Sequence, residues 1–203
     1  MIQSKRVGSV LRSCLVSGLL LATAFAGRGC ATSSGPYQPA NAGRRDTDRA
    51  AELTRRAAEH IDSDPDKAEA LLREALTADL YHGPAHNNLG AVFLNRGQLY
   101  EAASEFEWAR KLMPGHPDPR VNLAMTLEEA GRIDEAIDAY RTALEVFPGH
   151  LPAIMGLTRT QVRHNRADDG TEEQLRTIVM RADADWRRWA ERELIRRESA
   201  TRP

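Results

Sequence analysis

The chain has almost no cysteine: two in 203 residues, Cys14 and Cys30. A disulfide framework needs pairs inside the folded part, and neither cysteine lies there. Aromatic residues are scarce at 5% while alanine is plentiful, which suits helices packed through small residues better than a β-sandwich. Charge of one sign is lacking too. Charged residues make up 28% of the chain, yet the formal net charge is -1. That balance excludes strong steering towards DNA or a membrane surface. The basic residues are interleaved with acids rather than gathered in a stripe, so nucleic-acid binding is not expected. Catalytic signatures are missing as well: no G-x-S-x-G elbow, no H-E-x-x-H, no phosphate-binding glycine loop and no C-x-x-C pair. His82 and His86 have i,i+4 spacing, but Pro84 between them argues against a shared helix face. Acidic pairs such as Glu128-Glu129 and Glu172-Glu173 read as solvated helix faces. No enzyme activity, metal or cofactor is expected.

What is present begins with a targeting segment. Lys5, Arg6 and Arg12 precede an apolar stretch at residues 13–27, SCLVSGLLLATAFAG. About 15 apolar residues fit the core of a signal peptide and fall short of the ~20 that a spanning helix needs. Two processing routes are open. Ala24-Phe25-Ala26 is an A-x-A cleavage site, and Gly27-Arg28-Gly29-Cys30 resembles a bacterial lipobox, whose cysteine becomes the lipidated first residue. Residues 30–46, rich in Ser, Gly, Pro, Ala and Asn, then read as a flexible linker. The expectation is an exported protein, membrane-anchored through a lipid on Cys30 and facing the periplasm, or else a soluble periplasmic or secreted one.

Beyond the linker the chain repeats itself every 34 residues. Gly97 and Gly131 are one period apart, as are Leu89 and Leu123, Phe106 and Tyr140, and Pro114 and Pro148. Ala68, Ala102 and Ala136 form a three-member series, as do Ala75, Ala109 and Ala143. His116 and His150 are repeat-equivalent loop residues, which suggests a turn role. A period of this size marks a repeat architecture. Leu89, Gly90, Phe93, Gly97, Ala102, Phe106, Ala109 and Pro114, repeated as Leu123, Ala124, Leu127, Gly131, Ala136, Tyr140, Ala143 and Pro148, resemble the signature of the tetratricopeptide repeat (TPR) family. The resemblance implies an all-α fold: a right-handed superhelical solenoid of antiparallel helix pairs. Repeats are placed at about 49–82, 83–116 and 117–150, with a degenerate fourth at 151–182. In the first, Arg55 and Arg56 stand where Leu-Gly is usual. Asp64 is positioned to cap a helix opening at Pro65, and Gly97 and Gly131 suit the left-handed residue that ends a helix. Thr171 and Gln174 read as a capping box. A last helix at 183–199 carries Trp186, Trp189 and Leu194 and reads as a cap over the final repeat.

The resemblance also implies a concave groove lined by the first helix of each repeat, taking an extended peptide or a partner protein. The register assigns to it Asn87, Asn88, Ala91 and Asn95, then Val121, Asn122, Met125, Glu128 and Glu129, then Met155, Arg159 and Arg163. Asn88 and Asn122 share one repeat position and are similar to the asparagine ladder of O-linked N-acetylglucosamine transferases, whose amides bind peptide backbone. Thr54 and Gly156 fill that position elsewhere. The function expected is a non-catalytic interaction scaffold of the cell envelope, in secretion or pilus assembly. Self-association through the tryptophan-bearing helix is the alternative.

Overall fold

The computed structural model describes residues 45–201. The targeting segment, both cleavage sites, Cys30 and nearly all of the linker lie outside the described residues. Nine α-helices and no strand occur among the described residues: α1 Thr47–Ala58, α2 Pro65–Ala78, α3 Gly83–Asn95, α4 Leu99–Leu112, α5 Asp118–Glu129, α6 Ile133–Val146, α7 Leu151–Arg163, α8 Thr171–Arg181 and α9 Ala184–Thr201. They pack as four successive pairs, α1–α2, α3–α4, α5–α6 and α7–α8, with α9 laid on α8. Helix ends follow local chemistry. Asp64 accepts from the Lys67 N–H at 3.1 Å and Pro65 opens α2. Asp183 takes the N–H groups of Asp185 and Trp186 to start α9.

The turn inside each repeat explains where the 34-residue register breaks. α2, α4 and α6 begin at 65, 99 and 133, in period. α1, however, begins at Thr47, 36 residues before α3 rather than 34. The first repeat therefore carries a longer turn, and its Leu-Gly equivalents are the buried Leu53 and Thr54, not the exposed Arg55 and Arg56. The ladder position of this repeat is then held by Glu52, paired with Arg55, and not by Thr54. The fourth repeat has the converse insertion. α7 begins one period after Pro117, which caps α5, but α8 opens at Thr171, four residues past the in-period position 167.

A Schellman turn closes three of the first helices. Gln98, Arg132 and Arg166 donate their N–H to Phe93, Leu127 and Gln161 in turn, at 2.7–2.9 Å. The left-handed residues are Gly97 (φ 71°), Gly131 (φ 74°) and, in the fourth repeat, Asn165 (φ 55°). The capping box at Thr171 is not formed: Gly170 is the cap, and the buried Thr171 hydroxyl instead donates to Asp168 at 3.1 Å. The four-residue insertion folds the 164–170 loop over α7 and brings the Asp168 carboxylate to that hydroxyl.

Small residues let paired helices approach. At Gly90 a Cβ would lie 2.7 Å from the Phe106 ring, so the glycine is what admits that ring. The corresponding crossing in the fourth repeat is polar: the Thr158 hydroxyl donates to Gln174 Oε1 at 3.0 Å. A hydrogen bond there replaces the small-residue contact, which is why the signature fades while the helix pair persists. One apolar core runs from Ala50 to Leu157. A second joins Ile154, Leu175, Ile178 and Ala190 with Trp186, Trp189 and Leu194 packed against it. The tryptophans meet edge to face at 5.4 Å, and both are partly covered by their own chain.

Candidate functional site

Curvature follows from which helices touch. Each odd-numbered helix from α1 to α7 contacts the next odd-numbered one, whereas no two even-numbered helices contact each other among the described residues. The odd-numbered helices therefore line the tighter, concave side. Residues spaced 88/91/95, 122/125/129 and 155/159/163 recur along one helical face.

At its centre an amide network ties α3 to α5. Asn122 Nδ2 donates to Asn87 Oδ1 at 2.9 Å, and Asn87 Nδ2 reaches Asn88 Oδ1 at 3.5 Å. Each Asn amide has one acceptor oxygen and a two-hydrogen donor group. The network therefore leaves Asn88 Nδ2 as donor at one end and Asn122 Oδ1 as acceptor at the other, on half-buried side chains. Asn87, which has no repeat-mate because Val121 holds its position, is the bridge that orients the other two. Sequence spacing misses this because the bond spans 35 residues, one more than the period.

Further along, α5 and α7 are clasped by Glu128. Its Oε2 accepts from Arg159 at 3.0 Å, from the Thr160 hydroxyl at 3.0 Å and from the Tyr140 hydroxyl at 3.5 Å. Glu128 is thus a nearly buried junction rather than a solvated residue, its side chain 11% exposed. Burial, with the adjacent Glu128 charge, pushes the Tyr140 phenol up to about 12. Gly156 opens this site: it leaves space that the Tyr140 ring occupies. Arg159 is committed to Glu128, and its guanidinium also lies 6.0 Å from the centre of the Trp186 ring. Met155 packs into the second core beneath α9. These two are therefore supports of the concave face more than open contacts.

Four predicted residues remain available. Met125 is 40% exposed. Asn95, Glu129 and Arg163 are exposed, and their side chains make no hydrogen bond or ion pair among the described residues. They are the last residues of α3, α5 and α7.

Other polar groups are structural. His86 is buried, with Nδ1 2.6 Å from Glu105 Oε2 and Nε2 2.9 Å from the Leu80 carbonyl, beneath a stacked Trp108. The Leu80 carbonyl can only accept, so Nε2 is the donor in that bond. His150 Nε2 lies 3.0 Å from Asp118 across the turn. Among the described residues no group of three or more His, Cys, Asp or Glu is placed to hold a metal. A cleft of about 300 Å³ lies between α4, α5 and α6, floored by Leu123, Leu127 and Ala139. None of the predicted groove residues lines it. On its wall Glu107 and Arg110 pair with each other at 2.6 Å.

Comparison with known families agrees with this architecture. A model described as tetratricopeptide repeat matches residues 62–117 and again 87–150, and a second such model matches 127–191. The chain belongs to the tetratricopeptide repeat family. The second match spans the fourth repeat and enters α9, consistent with TPR geometry there despite the lost signature. No curated protein matches the sequence significantly. Among solved structures, the first TPR of Spaghetti (RPAP3) bound to the HSP90 peptide SRMEEVD is 17% identical, with a TM-score of 0.56, over 60% of this chain and 97% of that one. MamA from Desulfovibrio magneticus RS-1 is 18% identical, TM-score 0.55, over 63% and 72%. An O-GlcNAc transferase from Thermobaculum terrenum is 23% identical, TM-score 0.60, over 71% of this chain but 27% of that enzyme. These likenesses concern the fold.

Proposed function

We propose that this TPR protein is a non-catalytic scaffold that holds an extended segment of a partner protein along the concave face of α3, α5 and α7. The observation that carries this reading is the Asn122–Asn87–Asn88 network. A peptide unit presents one N–H and one C=O, and the network offers an unbonded acceptor, Asn122 Oδ1, and an unbonded donor group, Asn88 Nδ2, on side chains oriented by internal hydrogen bonds. Pre-organisation of this kind lowers the ordering cost of binding. Pairing with backbone also leaves the ligand's side chains to be read elsewhere on the face. That TPR structures of similar fold are seen with bound peptides supports the reading. A photo-crosslinking residue at position 125 tests it. A partner should be trapped from position 125 and not from position 104 on the outer face of α4, and Asn88→Ala with Asn122→Ala should reduce trapping severalfold. Equal trapping from both positions would remove the concave face as the binding site.

The place of action is the cell envelope on the same proposal. The N-terminal segment supports export, and Cys30 behind a lipobox-like stretch supports lipid anchoring. A scaffold there would serve secretion or envelope and pilus assembly. Incorporation of labelled fatty acid should disappear in Cys30→Ser, and label that persists would sink anchoring at that residue. Among the described residues no helix is long and apolar enough to cross a membrane.

A further inference from the structure

We infer that Asn95, Glu129 and Arg163 form a side-chain-reading row along the lip of the concave face, and that the favoured ligand is an extended segment carrying a basic and an acidic residue three positions apart. The inference rests on the proposed peptide-binding face and names the chemistry of its occupant.

Deeper residues of this face are bonded internally: Asn87 with Asn122, and Glu128 with Arg159 and Thr160. The lip residues are not. In the first repeat the equivalent position, corrected for its longer turn, is Glu59, and Arg55 neutralises it at 2.8 Å. Asn95, Glu129 and Arg163 have no such partner among the described residues. Glu129 is not paired with Arg132, which instead holds Glu135, and Arg166 likewise holds Asp134. Along the lip the face therefore runs neutral, negative, positive. A complementary ligand places its cation over α5 and its anion over α7.

Spacing sets the interval. Packed helices lie about 8–10 Å apart, axis to axis. A polyproline II segment has three residues per turn and rises ~3.1 Å per residue, so one side of it recurs every ~9 Å. Each third side chain then meets the next helix in turn. A β-strand returns to the same side every ~6.7 Å and drifts out of step with the helices. The amide network, which takes backbone groups, suits a segment whose own backbone is unpaired, as in polyproline II.

Panning phage-displayed random dodecapeptides on the immobilised full chain tests this. Three versions serve: the parent, the double variant Glu129→Arg with Arg163→Glu, and Met125→Arg. The parent should enrich peptides with Lys or Arg and Asp or Glu three positions apart, in one order. The double variant should enrich the reverse order, and parent-selected peptides should bind it roughly tenfold more weakly. The swap inverts the order whichever way the peptide runs. The same peptides enriched on parent and swap, but lost on Met125→Arg, would overturn the lip-row inference and leave the binding face standing. Peptides unaffected by Met125→Arg, or no enrichment at all, would overturn the binding face and the inference with it.

Discussion

Asp79 illustrates how one side chain can organise the start of a repeat array. In the next two repeats the same position is Met113 and Phe147, at the ends of α4 and α6. Here a fully buried carboxylate accepts two hydrogen bonds from Arg45, at 2.8 and 3.0 Å, one from the Thr47 hydroxyl and one from the Tyr81 N–H. Arg45 and Asp46 thus belong structurally to the first repeat although they end the segment read as linker. Burial pushes the Asp79 carboxyl up, but the hydrogen bonds from Arg45 and Tyr81 more than reverse it and hold it below the usual carboxylate range. A carboxyl with a depressed folded-state pKa contributes stability that is present above its unfolded value, near 4, and is lost as pH falls through the folded value. Urea denaturation between pH 5 and pH 2 should therefore show stability falling with pH, and Asp79→Asn should flatten that slope. An unchanged slope would show that other carboxylates set it. At this same scale the legibility of the site was uneven. Asn88 stood out by its repeat-mate Asn122, whereas the bridging role of Asn87 depends on a contact one residue out of period.

The turn and the helix pair are the elements on which the fold depends, and each turn has its own tolerance. Gly97 and Gly131 take φ above 70° with open space around the missing Cβ, so only backbone conformation demands glycine. Asn165 does the same task in the fourth repeat at φ 55°. Asn is the non-glycine residue that visits this region most readily, because its short side chain bonds locally. Asn165→Gly should stabilise the protein by up to about 1 kcal/mol and Asn165→Ala should destabilise it by about as much, both read from thermal or urea melts. Equal effects of the two would place the αL requirement elsewhere. Helix existence and the Asp64 cap were legible because each depends on residues within one turn. The longer turns of the first and fourth repeats were not, since an insertion that preserves helix pairing leaves no local mark. It surfaced only as misplaced signature residues, Arg55-Arg56 before and a missing pattern after 157.

For the molecule as a whole, the ends decide stability. A solenoid repeat contacts only its neighbours, so the last repeat needs a lid. α9 supplies it by covering Leu175 and Ile178 with Trp186, Trp189 and Ala190, and the Arg187 guanidinium closes the seam on the Val179 carbonyl at 3.1 Å. Ending the chain after Ala182 should cost roughly 3–5 kcal/mol through re-exposed apolar surface. At about 2–4 °C per kcal/mol for a protein of this size, the melting temperature should fall by roughly 6–20 °C in calorimetry. A shift within a degree or two would show that α9 is not the lid. The repeat period, the left-handed glycines, the cap at Asp64 and the covering helix were determined by the sequence alone, because spacing, backbone conformation and capping act over a few bonds or recur at a fixed interval. Tertiary structure alone decided that Glu128 is a buried clasp, that Met155 and Arg159 support the face, and that Asn95, Glu129 and Arg163 stay uncommitted. Whether a polar side chain is satisfied within the molecule depends on which neighbours the superhelix brings to it, and those neighbours lie some 30 residues away along the chain.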